Sequence, residues 1–71
     1  MLEVVHMKNN FSKNLKHYRK AADMKQETLA RKLHMTRQSV SYLENNRRQC
    51  DLDTLIEIAD VFEITLDELI R

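Results

Sequence analysis

The sequence predicts an all-α fold of five short helices. The 71-residue chain contains no glycine and no proline, which argues against sheets joined by tight turns. From Phe11 onward, apolar residues recur at the three- and four-residue spacing of a helix face. Only residues 2–5 (LEVV) have strand character, and this segment is too short to predict a sheet. We expect one small domain over residues 11–71, preceded by an arm of residues 1–10.

The first two helices are defined by their apolar residues and by the break between them. The first is expected over residues 11–22, with one apolar stripe at helical spacing. That stripe consists of Phe11, Leu15, Tyr18 and Ala22. Residues 23–25 break this helix, and the second is expected over residues 26–33. Its inward-facing residues are Leu29, Ala30 and Leu33.

The third helix is expected to begin after Thr36, whose hydroxyl can accept a hydrogen bond from a free N–H of the first turn. Its apolar face consists of Val40 and Leu43. The polar segment 45–50 (NNRRQC) that follows is typical of a loop. Within it, Asn46 can adopt the left-handed conformation that ends a helix.

The last two helices are predicted from their N-terminal caps. Asp51 is expected to cap a fourth helix over residues 52–62. Its apolar residues are Leu52, Leu55, Ile56, Ala59 and Phe62. Residues 65–68 (TLDE) form a capping box, in which the Thr65 hydroxyl and the Glu68 carboxylate each accept from a backbone N–H. This box predicts a fifth, short helix that ends at residue 70.

The net charge of +1 conceals an uneven distribution of charge along the chain. Residues 1–50 hold eleven Lys and Arg residues against four acidic ones, a balance of +7. Residues 51–71 hold seven acidic residues against Arg71, a balance of −6. Because association with a polyanion depends on the local field, the basic part favours a nucleic-acid partner more than the average suggests.

Several function classes lack their sequence signals. Residues 1–10 have neither the apolar stretch nor the cleavage site of a signal peptide, and no membrane-spanning stretch of about 18 apolar residues occurs. The single cysteine, Cys50, and three scattered histidines show no metal-ligand spacing. We therefore expect a cytoplasmic protein with no disulfide, metal or cofactor. No set of residues is arranged for nucleophilic catalysis, and a glycine-rich phosphate loop is impossible, so an enzyme is not expected.

Residues 26–44 (QETLARKLHMTRQSVSYLE) carry the strongest functional signal. They are typical of two amphipathic helices joined by a break at residues 34–36. The second of these helices presents, away from its apolar face, Arg37, Gln38, Ser41 and Tyr42. Arg pairs in two-pronged fashion with guanine, and Gln with adenine. The segment therefore predicts a helix-turn-helix that places its second helix in the major groove of DNA.

Three separated segments resemble the Cro/phage-repressor type of helix-turn-helix, often called Xre-like. They are residues 11–33 (FSKNLKHYRKAADMKQETLARKL), 35–48 (MTRQSVSYLENNRR) and 52–69 (LDTLIEIADVFEITLDEL). The resemblance covers nearly the whole domain. It implies a five-helix lambda-repressor-like DNA-binding domain with helices 2 and 3 as the helix-turn-helix.

The resemblance also implies roles for individual residues. Base reading falls to Arg37 and Gln38, with Ser41 and Tyr42 in support; Tyr42 has the alternative of lying against Leu43 as part of the core. Contacts to the phosphate backbone are implied for Gln26, Thr36, Asn45, Arg47 and Arg48. The alternative for Gln26 and the two arginines is a merely solvated surface. Arg19 and Glu44 are implied to form a buried ion pair that joins the first and third helices.

The chain departs from this family at five positions. Where the family commonly has glycine after helices, this chain has His34, Asn46 and Glu63. Of these residue types, Asn accepts a positive φ most readily and Glu poorly. Lys25 replaces a Ser or Thr cap, and Cys50 replaces a proline. We expect these changes to lower stability without changing the fold.

The predicted function is a dimeric transcriptional repressor that binds double-stranded DNA at a twofold operator. The alternative is an antitoxin-type or protein-interaction module on the same fold, with a regulatory protein as partner. Apolar residues in apparent surplus near the C-terminus suggest a dimer interface: Val61, Ile64, Leu66, Leu69 and Ile70. The arm of residues 1–10 could pair as a strand across a dimer, follow the DNA backbone or be disordered.

Overall fold

The computed structural model describes residues 10–71, in which five helices follow one another. They are α1 (Phe11–Ala21), α2 (Gln26–Lys32), α3 (Arg37–Glu44), α4 (Leu52–Phe62) and α5 (Leu66–Ile70). No strand occurs in this part of the chain. The all-α prediction is confirmed, and the helix boundaries agree with the expected ones to within one residue. The segment of strand character, residues 2–5, and the rest of the arm of residues 1–10 except Asn10, lie outside the described residues.

One hydrophobic core holds the five helices together, and each of them contributes to it. Its buried residues are Phe11, Leu15, Leu29, Ala30, Leu33, Val40, Leu43, Ile58, Ala59 and Leu69. Tyr18 of α1 stacks on Phe62 of α4, with ring centroids 6.0 Å apart. The predicted inward faces of α2 and α3 are therefore confirmed. Ala22 is exposed just beyond the end of α1 and does not extend the apolar stripe.

The buried face of α4 differs from the predicted one. Leu52 and Ile56 are 60% and 41% exposed, whereas Ile58, absent from the predicted stripe, is fully buried. Apolar residues cover more than half of the circumference of this helix, so their spacing does not distinguish Ile56 from Ile58. Leu52 lies in the first turn, at the edge of the core. The two exposed side chains leave an apolar patch on α4, called here the Leu52/Ile56 patch.

The apolar residues near the C-terminus are not in surplus. Leu69 is fully buried in the core. Val61, Ile64 and Leu66 are partly buried and pack against it. Ile70 is the most exposed of these five residues, at 36%. The expectation of a surplus here is wrong because α5 is needed to close the core over α1.

Four helices end in a residue with a left-handed backbone, although none of these residues is glycine. They are Asp23, His34, Asn46 and Glu63, with φ between 56° and 59°. At each end, the N–H of this residue and the N–H of the next donate back to carbonyls of the last turn, as in a Schellman motif. The chain thus turns sharply at four places. The left-handed conformation costs a residue other than glycine roughly 1–2 kcal/mol.

Side-chain caps start three of the helices, as predicted. Thr36, Asp51 and Thr65 each accept from the backbone N–H three residues on, at 3.0–3.1 Å. Glu68 completes the capping box by accepting from the backbone N–H of Thr65 at 2.9 Å. The hydrogen bonds from Thr54 lower the pKa of the Asp51 carboxyl below its usual value, because they favour its charged form. Lys25, in the position before α2, makes no side-chain cap.

The start of α1 lies against the end of α5. The side-chain amide of Asn14 donates to the carbonyl of Leu69 at 2.9 Å, and Asn10 donates to the carbonyls of Ile70 and Arg71. These bonds satisfy carbonyl groups that have no partner within the last turn of a helix. No helix among residues 10–71 is long and apolar enough to span a membrane.

Candidate nucleic-acid interface

The helix pair α2–α3 presents one exposed edge formed by the first residues of α3. Val40 and Leu43 anchor α3 in the core, with 0% and 2% of their surface exposed. Because a helix turns about 100° per residue, Gln38 lies opposite these two residues and Arg37 lies at the edge of the buried face. Arg37 and Gln38 are accordingly exposed at the start of the helix. This is the geometry required of side chains that enter a groove.

Gln38 and Tyr42 form a hydrogen-bonded pair on the exposed side of α3. The amide Nε2 of Gln38 lies 2.9 Å from the Tyr42 hydroxyl, to which it donates. Tyr42 is 40% exposed, which does not support the alternative that it forms part of the core. Since Gln38 uses one N–H on Tyr42, a second N–H and the amide oxygen remain for an adenine edge.

The end of α3 carries a second polar pair. The Asn45 amide donates to the carbonyl of Ser41 at 2.8 Å and to its hydroxyl at 3.3 Å. Arg47 is exposed, and its backbone N–H donates to the carbonyl of Tyr42 at 2.8 Å. These contacts fix the backbone of the loop beside α3 and leave the Arg47 side chain on the surface.

Arg48 folds back from this loop onto the first turn of α3. Its guanidinium donates to the hydroxyl of Ser39 at 2.9 Å. The same hydroxyl accepts from the hydroxyl of Thr36 at 3.0 Å. A positive charge thus lies beside the N-terminus of a helix, where the dipole and free N–H groups already favour an anion. Ser39 was not among the site residues predicted from the sequence. Its position three residues after the Thr36 cap could have indicated the contact between these two side chains.

Arg19 and Glu44 form a two-pronged ion pair between α1 and α3. Arg19 Nε donates to Glu44 Oε2 at 2.6 Å, and a terminal nitrogen donates to Oε1 at 3.2 Å. The two side chains are 10% and 1% exposed. Arg19 also donates to the carbonyl of Met24 at 2.7 Å, so it ties the turn before α2 to the same point. Planar Arg suits this bidentate arrangement, which Lys cannot reproduce.

Gln26 joins this ion pair to the start of α3. Its Nε2 donates to Glu44 Oε1 at 3.0 Å, and its Oε1 accepts from Arg37 at 3.4 Å. These two contacts could not be predicted from the sequence, because the partners of Gln26 lie 18 and 11 residues away along the chain. Ten of the eleven predicted site residues therefore fall into four hydrogen-bonded groups, of which this is the largest. The eleventh, Arg47, contributes its backbone N–H to the carbonyl of Tyr42.

Cys50 lies half-buried in the loop before α4. Burial raises the pKa of its thiol to about 11, and the negative charge of Asp51 acts in the same direction. A thiol held in its neutral form is a poor nucleophile and a poor metal ligand. No group of His, Cys, Asp and Glu residues within residues 10–71 is placed to hold a metal ion.

Fold and surface together define a helix-turn-helix domain of the lambda-repressor-like class. The sequence profile of the helix-turn-helix family matches residues 15–69, which is more than half of the chain. The chain therefore belongs to the Xre/Cro-type helix-turn-helix family, a family of DNA-binding transcriptional regulators. The predicted family and the predicted fold are both confirmed.

Three relatives illustrate this family. An uncharacterized HTH-type transcriptional regulator, YqaE of Bacillus subtilis (strain 168), is 38% identical over 61 residues, 86% of this chain and 53% of that protein. The chain thus spans about half the length of this relative. The restriction-modification controller protein C.AhdI from Aeromonas hydrophila superposes with a TM-score of 0.78 at 30% identity, over 84% of this chain and 87% of that one. A transcriptional regulator from Listeria innocua gives 0.85 at 26% identity, over 90% and 60%.

The same fold also occurs as part of an enzyme. Hydroxypropylphosphonic acid epoxidase from S. wedmorenis matches with a TM-score of 0.82 at 28% identity, over 87% of this chain. The match covers only 33% of the epoxidase chain. It concerns one domain-sized part of that enzyme, and the family of the present chain is one of regulators.

Proposed function

We propose that the chain is a sequence-specific DNA-binding transcriptional regulator that acts as a dimeric repressor on a twofold operator in the cytoplasm. The observation that carries this proposal is the exposed start of α3, with Arg37 and Gln38 side by side on a helix anchored in the core. An Arg and a Gln in this position suit guanine and adenine edges, respectively. A module that binds only proteins does not need an Arg and a Gln at the start of this helix.

Phosphate contacts are proposed for the residues that surround the start of α3. Arg48 and Thr36 lie together there through Ser39, and Arg47 and Asn45 occupy the adjoining loop. Residues 25–48 hold six Lys and Arg residues against two Glu residues. Such contacts set the register of the helix on the duplex and strengthen binding to any sequence.

The Leu52/Ile56 patch supports self-association. The patch lies on α4, which belongs to the acidic segment 51–71 rather than to the basic one. Twofold dimers of helix-turn-helix proteins bind half-sites about 34–36 Å apart, so self-association suits a twofold operator. Repression then follows from occupancy of the operator, which excludes other proteins from the same DNA.

A second candidate function is an antitoxin-type or protein-interaction module, and the same patch favours it. Exposed apolar side chains on an acidic helix would equally suit a regulatory protein partner. This function does not exclude DNA binding, because one chain can use α3 for DNA and α4 for a partner.

Selection from a random duplex pool tests the proposal most broadly. The chain is incubated with random double-stranded DNA of operator length, and the bound fraction is amplified and sequenced over several rounds. We expect enrichment of a site with two inverted half-sites, one helical turn or a multiple of it apart. No enrichment would contradict the proposed function and favour the interaction module.

A further inference from the structure

A continuous chain of hydrogen bonds runs from the interior of the molecule to the exposed edge of α3. Glu44 accepts from the Gln26 amide, and the Gln26 oxygen accepts from the Arg37 guanidinium. Glu44 is 1% exposed at its side chain and has no route to a DNA surface. Among residues 10–71, Gln26 therefore links a buried carboxylate to an exposed arginine.

The Glu44 carboxylate decides which groups donate and which accept in this series of hydrogen bonds. An ionised carboxylate only accepts hydrogen bonds, so the part of Gln26 that faces Glu44 is its NH2 group. The amide oxygen is then left for Arg37, whose guanidinium only donates. Among residues 10–71, every buried side-chain nitrogen and oxygen has a hydrogen-bond partner. The network is thus satisfied in one orientation of the amide and would not be in the reversed one.

Glu44 is itself held in place from the opposite side. Arg19 grips both of its carboxylate oxygens, at 2.6 and 3.2 Å, and is fixed in turn by the carbonyl of Met24. Charge-assisted bonds of this two-pronged kind are stronger and more directional than neutral ones. The Gln26 amide consequently has a partner whose two carboxylate oxygens are both held by Arg19.

We propose that Glu44 is a positioning residue for base recognition, because it orients the Gln26 amide that holds the Arg37 guanidinium ready for one base. This inference rests on the proposed function of reading DNA. The bond to Gln26 uses one of five N–H groups of Arg37, which leaves enough for a two-pronged contact with guanine. A side chain ordered before binding loses less rotamer freedom when it binds.

This role differs measurably from a phosphate contact by Gln26. A phosphate contact strengthens binding to every sequence alike and carries no base information. A positioning bond changes only the preference for the base beneath Arg37. The quantity that separates the two is a ratio: the dissociation constant for an operator in which that one base pair is exchanged, divided by the dissociation constant for the selected operator. A high ratio means a strong preference for that base.

A double-mutant cycle between Gln26 and Arg37 tests the link. We expect Gln26→Ala to lower the ratio at least about fivefold, and Gln26→Ala combined with Arg37→Ala to lower it no further than Arg37→Ala alone. Binding of Gln26→Ala to random duplex should stay within about twofold of the wild type. Additive losses, or an equal loss on random duplex, would overturn the proposal. Gln49→Ala, an exposed glutamine outside the network, is the matched control and should leave the ratio unchanged.

A second pair of variants tests Glu44 directly. In Glu44→Gln the neighbouring amides can pair in either orientation, so the ratio should fall as far as in Gln26→Ala. Arg19→Lys keeps the positive charge and the carboxylate that orients Gln26 but loses the bidentate grip on Glu44, so it should lower the melting temperature and lower the ratio less than Glu44→Gln does. Equal ratios in the wild type and a folded Glu44→Gln would overturn the proposal. If Glu44→Gln does not fold, the double-mutant cycle decides.

The failure of this inference can be told apart from failure of the proposed function. A wild-type chain that enriches no sequence contradicts the function itself. A wild type with a strong preference at the Arg37 base, unchanged in Gln26→Ala, contradicts only the positioning role of Glu44.

Discussion

At the scale of single residues, two ion pairs of the same chemical type occupy opposite environments. Arg19 and Glu44 are buried, with side chains 10% and 1% exposed, whereas Arg71 and Asp67 are 78% and 63% exposed. Solvent and salt screen the second pair, and exposed pairs are worth less than about 1 kcal/mol. Removing one partner of a buried pair leaves a charge without compensation.

Replacement of Arg19 should therefore be far more damaging than replacement of Arg71. We expect Arg19→Met to lower the free energy of unfolding by about 3–5 kcal/mol, a large share of the stability of a small domain. Arg71→Met, the matched control, should change it by less than about 1 kcal/mol. Urea unfolding followed by circular dichroism measures both, and equal losses would contradict the assignment of a buried pair.

The Cys50 thiol should link stability to pH. Its pKa is raised by burial from 9.0 to about 11 in the folded chain. The folded state therefore favours the neutral thiol, and this contribution is fully present below pH 9 and lost as the pH rises toward 11.

We expect the free energy of unfolding of the wild type to fall between pH 9 and 11 relative to that of Cys50→Ala. Alkylation of the folded chain at pH 8 should likewise be slower than alkylation in urea, where the thiol has its ordinary pKa. Identical pH profiles for the wild type and Cys50→Ala would show that the thiol is not perturbed.

At the scale of elements, the helix ends carry avoidable strain. Glu63 ends α4 with φ 56°, in the region where glycine is favoured. We expect Glu63→Gly to raise the free energy of unfolding by up to about 1 kcal/mol, since glycine adopts this conformation without a Cβ clash. Glu57→Gly, at an exposed position inside α4, is the control and should lower it by about 1 kcal/mol. A loss of stability in both variants would contradict the strain argument.

Much of the element structure follows from local rules, which is why the sequence predicts it. Thr36, Asp51 and Thr65 cap their helices through hydrogen bonds to residues only three positions further along the chain. Such hydrogen bonds depend on the neighbouring sequence alone. The choice between Ile56 and Ile58 was predicted wrongly, because it depends on how α4 rotates against the other helices.

The connections within the candidate site were predictable only in part. The residue types on the exposed side of α3 follow from helical periodicity. The contacts of Gln26 with Glu44 and Arg37 join separate helices and depend on their packing. The bend of Arg48 onto Ser39 likewise depends on the path of the loop after α3.

At the scale of the whole molecule, one copy measures 36 × 22 × 19 Å, about one turn of DNA in its longest dimension. In the proposed complex, two copies would therefore cover two half-sites one turn apart. If the Leu52/Ile56 patch joins them, Ile56→Lys should weaken self-association at least about tenfold, because it buries a charge in an apolar contact. Ala22→Lys places the same side chain on an exposed site of another segment and should have no effect. Sedimentation equilibrium measures both, and an unchanged dimer in Ile56→Lys would exclude the patch.

In the proposed complex with DNA, α3 reads bases while the loop after it contacts the phosphate backbone. The most direct test compares Arg37→Ala with Arg47→Ala on a selected operator and on random duplex, across a range of salt concentrations. Arg37→Ala should weaken binding to the operator by about 1–3 kcal/mol and relax the preference at one base pair, with little effect on random duplex. Arg47→Ala should weaken binding to both duplexes about equally and reduce the salt dependence. Unchanged operator affinity in a folded Arg37→Ala would contradict base reading by α3.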